Sequence, residues 1–310
     1  MCYSAQIWAD YHRYVRQFGA TVDIAEFARL YEQRNRGGKI RTPRAMDAAF
    51  AKSATPEGQA IHKLIASWNE TQEAELQQEL FRQKKRVADA QRALQVRVTK
   101  KAQEDVRIGG NKVAQLTARL KDLQRSRPVP EDSRIFPQMH APVLVSEGGR
   151  PVVRPMRYQC RPAGKPADHD RRYPGTYNAR RDNLEGFWRG QFGHSHGLMV
   201  AETFYENVRG DDGTNRVLQF TPRTGEPMYV ACLVSRWSDP RGQEPDLWSF
   251  AAITDEPEPE VAAAGHDRTI INLREQHVEA WLNPEPGNLE AIYALFDDRQ
   301  HPYYEHQEAA

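Results

Sequence analysis

Residues 56–125 differ from the rest of the chain because they are rich in Gln, Ala, Lys, Arg, Glu and Leu and contain no proline after Pro56. These residue types favour helix, so the stretch predicts a long helix, a turn at Gly109-Gly110-Asn111 and a shorter helix. Apolar residues recur every three, four or seven positions, at Leu80, Val87, Ala90 and Leu94 before the turn and at Val113, Leu116, Leu120 and Leu123 after it. This spacing predicts an antiparallel coiled-coil hairpin over residues 56–127.

The remaining segments are typical of an α+β fold. Apolar spacing predicts helices within residues 11–33 and over residues 283–296. Short apolar runs bounded by Gly, Pro and Asp predict strands at residues 142–146, 152–159, 197–205, 217–221, 228–234 and 247–254. We expect one curled antiparallel sheet system with a barrel-like core and flanking helices. The body then comprises residues 1–55 and 128–300, the helical hairpin is inserted into it, and residues 301–310 form a polar tail.

Charge is distributed unevenly along the chain, although the formal net charge is only +1. Residues 61–127 carry 15 Lys and Arg against 8 Asp and Glu, whereas residues 210–310 carry 7 against 19. A polyanion would be attracted to the first two thirds of the chain and repelled by much of the last. Basic side chains of the hairpin could contact phosphates. The alternative interpretation is that they form solvated helix faces.

Composition argues against an integral membrane protein, because the mean hydropathy is -0.78 and no apolar run approaches the roughly 18 residues that span a bilayer. The chain opens without a secretory signal pattern. Its three cysteines, Cys2, Cys160 and Cys232, form no CxxC pair, so we expect a cytoplasmic protein, nucleoid-associated if bacterial, with Cys160 and Cys232 buried and unreactive. His194 and His196 could supply half of a metal site, but no third ligand has suitable spacing. No metal or cofactor is therefore expected.

Cys2 follows the initiator methionine, which is normally removed when the second residue is small. Removal would give Cys2 a free α-amine beside its thiol. The amine can attack an aldehyde to form a Schiff base, and the thiol can then close a five-membered thiazolidine ring. Taken alone, a cysteine at position 2 is without function in most proteins.

Three later segments have polar residues in patterns that suit a reactive site. Residues 177–184 read YNARRDNL and place an amide and two guanidinium groups after a turn. Residues 197–207 read GLMVAETFYEN, an apolar strand that ends in an aromatic pair and a carboxylate. Residues 249–254 read SFAAIT and are followed, after an acidic loop, by AGHDR at residues 264–268.

The order of these motifs, MC, NAR, LxxAxxFYE, SFxxIT and HDR, with Trp281-Leu282 after the histidine, resembles the SOS-response-associated peptidase (SRAP) family. The resemblance covers residues 134–296 and, more weakly, residues 1–35. It implies a SRAP-like fold and a sensor of abasic sites in single-stranded DNA. The N-terminal cysteine, exposed by autoproteolysis, would form a thiazolidine crosslink with the ring-opened abasic sugar, with a lyase side activity.

The resemblance also assigns roles to individual residues. Cys2 would be the nucleophile, Asn178 would orient the N-terminus and the open sugar, and Glu206 would act as acid and base. His266 would assist proton transfer at the sugar, and Arg180 would hold a phosphate. A carboxylate and an imidazole suit Schiff-base chemistry, which removes a proton from the amine and delivers one to the departing water.

Each of these residues also has a structural interpretation. Asn178 can cap a turn, and His266 can be a structural hydrogen-bonding residue. Glu206 can pair with an arginine, although burial beside Phe204 and Tyr205 would raise its pKa and suit proton transfer near neutral pH.

The presumed DNA-facing positions depart from the family's motifs. The usual MCGR start reads MCYS, so Tyr3 can stack on a base where an arginine is expected. RYQCRP at residues 157–162 corresponds to the family's RWGLxP, so Tyr158 replaces a tryptophan beside Arg157. We expect Tyr3, Arg157, Tyr158 and Arg180 to contact DNA.

The sequence thus predicts a self-processing protein that crosslinks to abasic single-stranded DNA. Two alternatives stay open. One is a cysteine hydrolase or peptidase in which Cys2 and His266 act on substrates other than DNA. The other is a scaffold whose basic hairpin, residues 56–127, binds a protein partner or a second copy of the chain.

Overall fold

The structure is a computed structural model that describes residues 3–210 and 213–309. The helices in these ranges are α1 (Tyr11–Phe18), α2 (Ile24–Asn35), α3 (Arg44–Ala48), α4 (Pro56–Val96), α5 (Lys100–Gln124), α6 (His169–Arg172), α7 (Pro259–Ala263), α8 (Val278–Leu282) and α9 (Leu289–Asp297). The strands are β1 (Ser4–Ile7), β2 (Thr21–Val22), β3 (Arg134–Ile135), β4 (His140–Glu147), β5 (Arg150–Tyr158), β6 (Asn178–Arg180), β7 (His196–Arg209), β8 (Asn215–Pro222), β9 (Met228–Trp237), β10 (Leu247–Asp255), β11 (Thr269–Ile270), β12 (Asn272–Leu273) and β13 (Tyr304–Glu308). Within the described ranges, no helix is both long and apolar enough to cross a membrane.

The strands form one sheet that closes on itself. Successive neighbours run β7, β9, β10, β5, β4 and back to β7, so each of these strands is paired on both sides. This confirms the expected α+β fold with a curled, barrel-like sheet. The pairings of β10 with β5 and β6, and of β2 with β5, are parallel and depart from the antiparallel arrangement expected. All six predicted strands are present, as β4, β5, β7, β8, β9 and β10.

Strand β9 shows why the apolar runs are continuous. Its sequence MYVACLVSRW is buried at every position except one. Both neighbours of the strand, β7 and β10, belong to the closed sheet. Strands covered on both faces are apolar on both faces, whereas half-covered strands alternate. The continuous apolar run of β9 therefore reflects burial of both of its faces.

The first strand, β1, lies between β7 and β3. Gln6 pairs with Thr203, but Ile7 pairs with Ala201, so Glu202 of β7 forms a bulge. The backbone N–H of Tyr3 donates to the carbonyl of Tyr205 at 3.2 Å. This register places the beginning of the chain beside the end of β7.

Helices α4 and α5 pack against each other in opposite directions as a hairpin. The side chain of Gln124 donates to Glu73 at 2.7 Å near the base, and Arg86 pairs with Asp105 at 2.5 Å nearer the tip. At the base, Asn35 of α2 donates to the carbonyl of Leu64 at 2.9 Å. Ile61 and Ile65 of α4 are buried in the main core, so the hairpin is anchored on the body.

The turn of the hairpin is not at Gly109-Gly110-Asn111, as the sequence led us to expect. It lies at residues 97–99, because the hydroxyl of Thr99 caps α5 by accepting from the N–H of Ala102 at 3.2 Å. Gly109 is buried inside α5, where a Cβ would lie 2.6 Å from Cγ2 of Val87. The glycine therefore permits close contact between the two helices.

Two features near the C-terminus also differ from the predictions. Helix α9 begins at Leu289 rather than at residue 283, because the side chain of Asn288 caps it by accepting from the N–H of Ala291. The predicted polar tail contributes β13, which pairs antiparallel with β8, and Tyr304 is buried at its start. Its polar side chains are exposed along one edge strand of the sheet.

Candidate active site

A cleft of about 570 Å³ opens beside the beginning of β1. It is lined by Tyr3, Gly175, Tyr177, Asn178, Arg180, Asn207, Arg209, Gly265, His266, Asp267 and Arg268. These residues come from the segment before β1, from β6 and the turn before it, from the end of β7 and from the loop after α7. The cleft therefore brings together the NAR and HDR motifs and the residues that follow FYE.

Glu206 lies near the end of β7 and is 1% exposed. Burial raises the pKa of its carboxyl group from 4.5 to about 8, because the charged form loses its hydration. A hydrogen bond from the backbone of Tyr3 acts in the opposite direction. The carboxyl group is therefore mainly protonated at neutral pH.

His266 connects Glu206 to the cleft. Its Nε2 lies 3.2 Å from Oε2 of Glu206, and its Nδ1 lies 2.9 Å from the carbonyl oxygen of Arg268. Burial lowers the pKa of the imidazole, so the ring is mainly neutral. Nδ1 lies near both backbone groups of Arg268, since the N–H of Arg268 also approaches it at 3.3 Å. The neutral ring carries its proton on one nitrogen and can accept a proton at the other, so a proton can be shared between Nε2 and the Glu206 carboxyl group.

Asn178 is the first residue of β6, which runs parallel to β10 with Asn178 opposite Ala252. Its side chain is buried in the wall of the cleft. Within residues 3–210 and 213–309, no group forms a hydrogen bond with its Oδ1 or Nδ2. Buried polar atoms usually have partners, and exceptions are common where a ligand binds. This amide therefore does not cap a turn here.

Cys2 lies outside the described residues, so its predicted role as nucleophile stays a prediction. Tyr3, which follows it, lines the cleft and is 40% exposed. Its ring packs edge-on against Phe136, with 5.7 Å between centroids. An exposed aromatic ring is thus present at the cleft, and its predicted contact with DNA stays a prediction.

Three arginines against one aspartate, Asp267, give the lining of the cleft a net positive charge. Arg180, named from the sequence, is half exposed and pairs with Asp182 at 2.5 Å. Arg209 and Arg268 also line the cleft, and the sequence interpretation gave them no role. Arg268 belongs to the HDR motif itself. Arg209 is two positions beyond Asn207 on β7, so strand alternation places both on one face.

Arg157 and Tyr158 do not lie in the cleft. Tyr158 is fully buried, and its ring stacks on Phe250 with 5.1 Å between centroids. Arg157 pairs with Asp170 at 2.8 Å and lines a different cavity, beside α2. At the end of β5, pairing with β10 turns Tyr158 inward, so the structure gives this ring a packing role instead of a surface for DNA.

The other chemically active side chains are structural. Both ring nitrogens of His196 are within hydrogen-bond distance of backbone groups, namely the carbonyl of Trp281 at 2.8 Å and the N–H of Gly193 at 2.9 Å. Cys160 and Cys232 are buried, and burial raises the pKa of both thiols. Across the described ranges, no group of three or more His, Cys, Asp or Glu is arranged to hold a metal ion.

Three solved structures are similar in part. A protein from Bacteroides thetaiotaomicron is 15% identical over 57% of this chain and 78% of its own, with a TM-score of 0.48. A protein from Bordetella bronchiseptica is 19% identical over 60% and 90%, with a TM-score of 0.46. A phage-related protein from the same organism is 16% identical over 60% and 85%, with a TM-score of 0.43.

No curated protein matches the chain. The family model described as SOS response associated peptidase (SRAP) matches residues 95–308, which is well over half of the chain. The chain therefore belongs to the SRAP family, whose description implies a peptidase-type activity associated with the SOS response to DNA damage.

Proposed function

We propose that this protein captures the aldehyde of ring-opened abasic sites in single-stranded DNA as a thiazolidine on Cys2, after hydrolysis of the Met1–Cys2 peptide bond. The observation that carries the proposal is the contact of 3.2 Å between the buried carboxyl group of Glu206 and His266, at the edge of a cationic cleft. This pair can hold and move a proton without placing a net charge in the core.

The register of β1 supports a role for Cys2 in this cleft. Tyr3 lines the cleft and is bonded to Cys2. Adjacent Cα atoms are about 3.8 Å apart, which is why we propose Cys2 as the nucleophile of this cleft.

The amine and thiol of Cys2 together with Glu206 and His266 account for every bond and proton in the proposed reaction. The α-amine nitrogen of Cys2 bonds to the aldehyde carbon, and His266 transfers one proton from that nitrogen to the new alkoxide oxygen. Glu206 then donates its proton to the hydroxyl group, which leaves as water and gives the iminium ion. The thiol sulfur bonds to the iminium carbon, and its proton returns to Glu206. One water is released, and both side chains end in their initial states.

The cleft offers complementary groups for the rest of the substrate. The amide of Asn178 can both donate to and accept from the hydroxyl groups of the open sugar, and it has no competing hydrogen bond among the described residues. Arg180, Arg209 and Arg268 suit the flanking phosphates. A neutral peptide substrate would not need three guanidinium groups, which favours DNA over a non-DNA substrate.

Incubation with single-stranded DNA that carries one abasic site tests the proposal. We expect the wild-type protein to give a crosslink that survives heat and denaturant, and DNA of the same sequence without the abasic site to give none. Mass spectrometry of the protein should show that Met1 has been removed.

The variant Cys2→Ser is the matched control because it keeps the α-amine and loses the thiol. We expect it to give no heat-stable crosslink, but to give a Schiff base that borohydride traps. A heat-stable crosslink from Cys2→Ser, or none from wild-type protein without Met1, would contradict the proposal.

A further inference from the structure

Two aromatic side chains beside the cleft are exposed although burial would stabilise them. Tyr173 is 53% exposed and Phe187 is 38% exposed. Their ring centroids are 6.4 Å apart, and the buried ring of His169 lies 4.7 Å from that of Tyr173. The rings therefore form a supported aromatic surface, and surfaces of this kind usually mark binding sites.

Local hydrogen bonds fix Tyr173 just before the segment that lines the cleft. Its N–H donates to the carbonyl of His169 at 2.8 Å, and its carbonyl accepts from the hydroxyl of Thr176 at 3.1 Å. Gly175, two residues further on, lines the cleft, and Asn178 follows. The ring of Tyr173 is thus fixed within a few residues of the proposed reaction site.

Charge around these rings indicates the class of partner. Arg171 and Arg172, just before Tyr173, share one acidic partner, Asp168, at 3.7 and 2.8 Å, and their side chains are 84% and 64% exposed. Arg180 and Arg209 continue the basic surface inside the cleft. Arginines around exposed aromatic rings are typical of proteins that bind single-stranded nucleic acid, because phosphates pair with the cations and bases stack on the rings.

We propose that Tyr173, supported by Phe187, stacks the base next to the abasic nucleotide. The inference rests on the proposed function and adds a binding subsite to it. Stacking on Tyr173 requires unpaired DNA, because both faces of a base within a duplex are covered by its neighbours. It also assigns to Tyr173 the contact that the sequence had suggested for Tyr158, which is buried in the core.

Binding of a fluorescent single strand without an abasic site tests the subsite separately from the chemistry. Loss of one stacked base costs about 1–3 kcal/mol, so we expect Tyr173→Ala to raise the Kd about 5- to 150-fold. Tyr173→Phe should bind like the wild type. The slope of log Kd against log salt concentration should not change, because no phosphate contact is removed.

Tyr303→Ala is the matched control. Tyr303 is 49% exposed and packs against Arg223, away from the cleft. We expect its Kd to equal that of the wild type. Equal binding by Tyr173→Ala and wild type, or an altered salt slope in Tyr173→Ala, would overturn the stacking proposal. The stacking proposal would also be overturned if Tyr173→Ala raised the Kd by the same factor for duplex DNA, or for a protein ligand in place of DNA.

A second measurement reports stacking directly. A strand with 2-aminopurine next to the abasic site should lose fluorescence on binding to the wild type and keep it on binding to Tyr173→Ala. Quenching by both proteins would refute the role of Tyr173. If single strands bind in a Tyr173-dependent way but no crosslink forms, the proposed function fails and the subsite stands. If the crosslink forms and Tyr173→Ala binds normally, the subsite alone fails.

Discussion

Replacing Glu206 by Gln tests whether this carboxyl group is protonated in the folded protein. Gln has nearly the same shape and cannot ionise. The pKa of Glu206 is raised by burial from 4.5 to about 8, so between these values the folded state binds more protons than the unfolded state. The free energy of unfolding of the wild type must then fall as pH rises, since ionisation is easier in the unfolded chain.

The size of the effect follows from the two pKa values. One proton gives a slope of at most about 1.4 kcal/mol per pH unit. From pH 5 to pH 7, the free energy of unfolding of the wild type relative to Glu206→Gln should therefore fall by roughly 2 to 3 kcal/mol. His266 is present in both proteins, so its own titration largely cancels in the difference.

Urea denaturation of both proteins at pH 5, 6, 7 and 8, followed by circular dichroism, measures this difference. Glu202→Gln is the control, because Glu202 lies on the same strand but is half exposed and pairs with Arg13 at the surface. We expect the free energy of unfolding of Glu202→Gln to differ from that of the wild type by nearly the same amount at every pH. A constant difference for Glu206→Gln as well would show that Glu206 is ionised in the folded state, and the proton-transfer scheme would fail.

Three further predictions concern individual residues. Asn178→Ala should leave the free energy of unfolding within about 1 kcal/mol of the wild type while lowering the crosslink yield, because no hydrogen bond among the described residues is lost; a loss of several kcal/mol on urea denaturation would show a structural role. Gly109→Leu should be about 1–3 kcal/mol less stable than Gly110→Leu by the same measurement, because a Cβ at Gly109 meets Val87 and one at Gly110 meets nothing within 4 Å. Tyr158→Ala should lower the free energy of unfolding by about 3–5 kcal/mol, as expected for a large ring in the core. An unchanged free energy of unfolding would show that the ring of Tyr158 is not buried.

The strands could be predicted from the sequence because buried strands consist of short runs of apolar residues. Each apolar run between Gly, Pro and Asp became a strand of the closed sheet. The pairing of those strands could not be predicted in the same way, because contacts such as β10 with β5 join segments about 90 residues apart. Neither the parallel pairings nor the inward direction of Tyr158 has a local signal.

The hairpin shows a different limit. Its helices were evident from composition, but Gly109-Gly110 has two possible physical meanings. Glycine can end a helix, or it can let two helices approach, and only the position of Val87 on the other helix decides between them.

For the candidate site, the sequence supplied the types of residue, and the resemblance supplied their grouping. Glu206 and His266 are 60 positions apart, and no periodicity connects them. Arg209 could have been found from the alternation of β7, since it shares a face with Asn207. Tyr173 had no sequence signal, because only its exposure, just before the segment that lines the cleft, distinguishes it from a core aromatic residue.

The position of β1 has a consequence for the order of events during synthesis. Its residues pair with Ile135 and Tyr205, which the ribosome adds much later. Contacts between such distant segments form late, after the intervening chain has been made and partly folded. Strand β1 must therefore wait for most of the barrel before it pairs with β7, the strand that carries Glu206. In a nascent or misfolded chain β1 is apart from β7, so completion of the fold itself controls when the proposed site can react.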